Sequence, residues 1–172
     1  MPTIKKSGEN KRATTAIIGA SGEHYVAAYL SGFKLIVAMP RAGIPGSDLF
    51  VSNEKGGHAI RVQVKTGTQA TRKDKTVGEI YLWATSYAAI ERNDKYLWYA
   101  YVYLNGWPNS EKLPEVFFVP SKIVVRWARR CVRAFSGHYA KNRPLRLTRS
   151  LHTTSACWPH PLRSARRLWP QR

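Results

Sequence analysis

An α/β or α+β domain, a mixed β-sheet flanked by helices, is what the sequence predicts, and three observations carry that expectation. Helix-spaced apolar residues occur near the start of the chain and again around residue 128. Between them lie short runs rich in Val, Ile, Tyr and Trp, each closed by glycine, proline or polar residues. The 172 residues, 44% of them apolar, suffice for one domain with a buried core, which excludes wholesale disorder.

Residues 1–15 are polar and basic without an apolar period, and are expected to form a loose arm. Ala16 to Leu30 reads as a helix, with Ile18, Tyr25, Val26, Tyr29 and Leu30 near helical spacing and Gly32 as its stop. Phe33 to Met39 is too short for a helix and runs into Pro40, so it is expected to be a strand. Ser47 to Ser52 gives a second strand, and Asn53 to Gly57 is a hairpin turn by composition. In His58 to Thr66, Ile60, Val62 and Val64 alternate with Arg61, Gln63 and Lys65, which sets the apolar and polar side chains on opposite faces of a third strand.

Thr68 to Gly78 is polar and carries no strand signal. Glu79 to Ala84, Lys95 to Leu104 and Val116 to Val119 read as further strands, with a helical turn at Tyr87 to Arg92. Trp83, Trp98 and the tyrosines of Tyr96 to Tyr103 are expected in the core. Ser121 is placed to cap a last helix reaching Phe135, with Val124, Trp127, Ala128, Cys131, Val132 and Phe135 as its apolar stripe. The domain is therefore bounded at 16–136. Residues 137–172 hold four prolines, eight basic residues and no acid, and are expected to be a disordered basic tail. The Arg, Ser, Pro, His and Trp bias of that tail also fits translation out of frame.

Charge narrows the function classes. The chain carries +18, of which residues 1–115 hold 15 basic and 10 acidic side chains and residues 116–172 hold 13 basic and none acidic. Such density favours nucleic acid as partner over an anionic membrane surface. The basic face of the last helix, Lys122, Arg126, Arg129, Arg130 and Arg133, is the candidate phosphate-binding surface. Two cysteines exclude a disulfide framework, and the Cys157–His160 segment has no usual zinc spacing. No apolar run approaches the roughly 18–20 residues that span a bilayer, and the polar start lacks a signal-peptide core, so a cytoplasmic protein is expected.

Acids are scarce, which singles out Glu23 on the first helix and Asp48 at the mouth of the second strand. Gln63 and Lys65 lie two apart, hence on one face of the third strand. Taken alone, Gln63 and Lys65 are the solvated face of an edge strand, Asp48 a turn residue and Glu23 a surface residue; the ordered set is what argues otherwise.

The segments Gly22-Glu23, Gly46-Ser47-Asp48-Leu49-Phe50-Val51 and Val62-Gln63-Val64-Lys65-Thr66 together resemble the PD-(D/E)XK nuclease superfamily, over roughly residues 16–125. The resemblance is greatest to members with glutamine at the third position, among them homing and Mrr-like endonucleases. It implies a restriction-endonuclease-like fold and Mg²⁺-dependent cleavage of DNA, with Mn²⁺ as a substitute. Asp48, Glu23 and Gln63 would hold the metal with the carbonyl of Val64, and Lys65 would act on the attacking water. Many such nucleases dimerise to cut both strands, which adds a homodimer to the expectations. Gln63 replaces an acid, and Ser47 precedes Asp48 where proline is usual; a catalytically inactive DNA-binding protein on the same fold is thus the alternative.

Overall fold

The computed structural model describes residues 8–41, 46–56, 58–68, 71–75, 78–85, 87–134 and 145–148. Its organising strand is β3 (Ala59–Gly67), which buries Ile60, Val62 and Val64 and leaves Arg61, Gln63 and Lys65 half-buried. β2 (Leu49–Ser52) runs antiparallel to it with Leu49 opposite Val62 and Val51 opposite Ile60, so the apolar sets of both strands share one face. β1 (Ile36–Ala38) adds antiparallel to β2. On the other side of β3 lies β6 (Leu97–Tyr103), parallel to it, and then β7 (Glu115–Pro120), antiparallel to β6. The result is a five-stranded mixed sheet in the order β1-β2-β3-β6-β7.

Parallel neighbours cannot be joined by a tight turn and need a crossover. Here the crossover consists of β4 (Thr71–Asp74), β5 (Gly78–Thr85) and a short 3-10 helix, Tyr87–Glu91. β4 and β5 pair with each other, and β5 also pairs with β8 (Leu145–Thr148), making a second sheet of three strands.

The sheet is covered on both faces. α1 (Gly8–Ser31) lays Val26 and Leu30 on Leu49, Val51, Ile60, Val62, Val64, Ala100, Val102 and Phe118. Each such fully buried aliphatic side chain contributes ~1.5–3 kcal/mol. The opposite face packs Tyr81, Trp83, Ala89, Leu97, Tyr99, Tyr101 and Val119 with Val124 of α2 (Ser121–Ala134). Trp83 satisfies its buried indole by donating Nε1 to the Val102 carbonyl at 3.1 Å. Alternation along β6 feeds both cores, with Ala100 and Val102 toward α1 and Tyr99 and Tyr101 toward α2.

The mixed α/β architecture is as the sequence predicts, and three elements differ from expectation. α1 begins at Gly8 rather than Ala16, because Glu9, Lys11, Arg12 and Ala13 are good helix formers that form a turn without an apolar stripe. Thr71–Asp74, expected to lack structure, forms β4 through backbone pairing with β5, which needs no apolar alternation. Within the segment expected as a tail, Leu145–Thr148 forms β8; the rest of 137–172 lies outside the described residues. Of the expected core aromatics, Trp83, Tyr99 and Tyr101 are buried, while Tyr96 is exposed. No helix among the described residues is long and apolar enough to cross a membrane.

Candidate active site

Asp48 immediately precedes β2, just beyond the last paired position, Leu49 opposite Val62. Since Val62 and Val64 point into the α1 core, Gln63 and Lys65 occupy the other face of β3, and Asp48 lies at the mouth of β2 against the β3 backbone. The Asp48 amide donates to the Val62 carbonyl at 2.9 Å, and the Val64 amide donates back to Asp48 Oδ2 at 2.7 Å. Asp48 is therefore clamped at both backbone and side chain. Residues two apart in a strand direct their backbone groups to the same side. Because the Val62 carbonyl faces Asp48, the Val64 carbonyl faces that edge too.

Glu23 comes from the helix layer, on the α1 side of the sheet. One residue before it, Gly22 lies so close to β3 that an added Cβ would meet the Thr66 side chain, with Thr66 Cγ2 at 2.8 Å and Cβ at 2.9 Å. Only a residue without a side chain lets α1 approach so near, and that approach delivers Glu23. Burial raises the Glu23 pKa, the like charge of Asp48 raises it further, and His24 and Lys65 oppose the shift. The carboxylates of Glu23 and Asp48 and the Lys65 ammonium thus share one electrostatic neighbourhood.

Gln63 has a partner that the sequence does not announce. Arg92, just after the 3-10 helix, donates Nη1 to Gln63 Oε1 at 3.2 Å. Its guanidinium lies over Gly46, whose φ of +83° is in the left-handed region; a Cβ there would stand 2.9 Å from Nη1 and 3.1 Å from Cζ. The oxygen expected as a metal donor is thus already an acceptor from a cation. Nothing in the sequence around Arg92 marks it, since the crossover alone sets its distance from Gln63.

Among the described residues no three His, Cys, Asp or Glu side chains form a group suited to a metal ion. The candidate donors are two carboxylates that feel each other's charge, Glu23 and Asp48, with the Val64 carbonyl on the Asp48 side of β3. Mg²⁺ retains several waters and is commonly held by one or two carboxylates, so this donor set fits a hard cation. His24 is exposed and adds no ligand.

The basic helix is fixed relative to the site. Lys122, Arg126, Arg129 and Arg130 are exposed on α2, whereas Val124, Val125 and Ala128 are buried; Arg133 is on the helix, but its side chain lies outside the described residues. Ser121, expected as a cap, opens α2 and ties it to the loop after Arg92: its fully buried Oγ donates to the Asp94 carbonyl at 2.5 Å and accepts from the Asp94 amide at 3.0 Å. The Asp94 carboxylate pairs with Arg61 of β3 and accepts from the Tyr96 amide at 2.7 Å. The Tyr96 amide holds the Asp94 carboxyl below the usual range; burial opposes this, and Arg61 and Lys95 reinforce it. One short network therefore links β3, the Arg92 loop and the start of α2. Compared with known proteins, the chain matches no family model, no curated protein and no solved structure.

Proposed function

We propose that the protein is a Mg²⁺-dependent DNA endonuclease with a restriction-endonuclease-like core, acting by hydrolysis of the phosphodiester backbone. The observation that carries the reading is Asp48 held by the Val64 amide at the edge of β3, with the charges of Asp48 and Lys65 both felt by Glu23 from a third segment. Asp48, Glu23 and the Val64 carbonyl would hold the cation. When bound, Mg²⁺ supplies neutralisation of phosphate charge and a lowered pKa for an attacking water. Lys65 orients that water and stabilises the charge that develops on phosphorus. Asp48, held by the Val64 amide, needs no reorganisation on binding. The exposed cations of α2 provide affinity and position on the duplex rather than sequence choice.

The test is a plasmid-nicking assay with Mg²⁺, Mn²⁺ and EDTA lanes. Wild type nicks with either metal and is silent in EDTA; Asp48→Ala and Lys65→Ala lose nicking and retain most DNA binding. Equal cutting by both variants refutes the site. The engagement of Gln63 Oε1 by Arg92 favours a second reading, a DNA-binding protein without cleavage, and metal-independent DNA binding with no nicking in any lane establishes it.

A further inference from the structure

Arg92 is a half-buried guanidinium without a carboxylate partner, since the one ion pair among the described residues is Arg61 with Asp94. Its hydrogen bond goes to a neutral amide, Gln63 Oε1, which orients the group and leaves its charge unbalanced. A guanidinium carries five N–H donors in a planar fork. Gly46 supplies the space in which that fork lies. The Tyr99 hydroxyl is buried and without a hydrogen-bond partner among the described residues; burial raises its pKa and the Arg92 charge opposes the shift. Tyr99 is also the residue paired with Gln63 in the β3–β6 register. A cation with spare donors and a buried hydroxyl without a partner among the described residues, on the strand face that Gln63 and Lys65 share, are components of a receptor for an oxyanion.

We propose that Arg92 is a phosphate-binding residue of this site, its guanidinium held by Gln63 Oε1 and by the open space over Gly46 so that it receives two non-bridging oxygens of a DNA backbone phosphate. The proposal rests on the DNA-cleaving reading and deepens it. It also reassigns Gln63. A guanidinium and a divalent cation repel each other at one oxygen, so Gln63 is a positioning residue for Arg92 rather than a principal metal ligand. The charge lost when glutamine replaces an acid is then no defect, because an acid at 63 would neutralise the phosphate receptor with an internal salt bridge.

The experiment is fluorescence anisotropy of a labelled DNA duplex titrated with the full chain in EDTA across a salt series, where binding is read without cleavage. Arg92→Gln is expected to weaken binding about tenfold and to reduce the slope of log K against log salt by roughly 1. Arg92→Lys restores the slope and only part of the affinity, because a point charge cannot grip two oxygens. Gly46→Ala, which crowds the guanidinium, also weakens binding. Wild-type affinity and slope for Arg92→Gln, beside losses for Lys122→Gln and Arg126→Gln, would leave a DNA-binding protein in which this proposal is wrong. Absence of any salt-dependent binding by wild type removes the DNA reading and this proposal together. Should Arg92→Gln not fold by circular dichroism, Arg92→Lys decides: affinity equal to wild type overturns the two-oxygen contact.

Discussion

Gly22 and Thr66 set the distance between α1 and β3, and substituting them separately and together measures that contact. Alanine in a helix interior is favoured over glycine by ~1 kcal/mol. Against that, the new Cβ at 22 would lie 2.8 Å from Thr66 Cγ2 and 2.9 Å from its Cβ, and closer still to Oγ1. Overpacking of this kind costs ~1–3 kcal/mol. Gly22→Ala should thus destabilise by ~0–2 kcal/mol and, by pushing α1 outward, withdraw Glu23 from Asp48. Thr66→Ala deletes the two atoms in sharpest conflict. It forfeits a half-buried methyl worth at most ~0.8 kcal/mol, but it also removes Oγ1, which is buried without a hydrogen-bond partner among the described residues. An unsatisfied hydroxyl costs ~1–3 kcal/mol, so this variant should lie near or above wild-type stability. In the double variant the helix gain survives and most of the clash does not. The expected coupling is ~1–2 kcal/mol in favour of the pair, measured by urea unfolding of all four proteins. Nicking should fall in Gly22→Ala and partly return in the double variant. Additivity within ~0.5 kcal/mol would refute the close approach.

Glu23→Gln should abolish nicking yet raise stability at neutral pH. The folded-state pKa of Glu23 is raised, so ionisation costs the fold stability as pH rises past the ordinary glutamate value, and the variant is spared that cost; thermal melts of both proteins across pH 4–8 check it. Added Mg²⁺ should narrow the gap by favouring ionised Glu23 in wild type. Ser121→Ala should cost ~1–3 kcal/mol, because it strips buried partners from both backbone groups of Asp94, and urea unfolding reads this directly. Asp94 has the opposite sign to Glu23. Its pKa is lowered, so its contribution is present above the ordinary aspartate value and is lost as pH falls through the folded one. The stability difference between wild type and Asp94→Asn should therefore close on acidification below pH ~4.

What the sequence discloses and what it hides follow from the range of the interactions. The alternation in Ile60–Lys65 fixes both the strand and its faces, because burial on one side of a sheet has a period of two that one segment carries by itself. The same alternation sets Gln63 and Lys65 on one face, and the short connection from β2 to β3 returns the chain so that Asp48 meets the Val64 amide. Glu23 is legible as an acid leaning toward the packed side of a helix. Arg92 is not, because its arrival depends on a crossover in which β4 has no apolar pattern. The Ser121–Asp94 tie is hidden for the same reason: serine before a helix signals a cap, and only the fold brings a distant backbone to its hydroxyl. The first turns of α1 escape because periodicity detects an apolar stripe, and the sequence of residues 8–13 carries none.

The exposed face of α2 has one more consequence. Lys122 and Arg126, and Arg126 and Arg130, are four apart, and no acid lies among them. Like charges at that spacing repel by ~0.2–0.5 kcal/mol per pair, and Lys122 also faces the positive end of the helix dipole. Added salt screens this internal repulsion over a Debye length of ~10 Å at 0.1 M while it displaces the protein from any polyanion. On the proposed function, ionic strength therefore acts in two directions on one helix: the ions that tighten its fold are the ions that would loosen a hold on a phosphate backbone, and the helix is at its least comfortable in the dilute buffer where it would bind best.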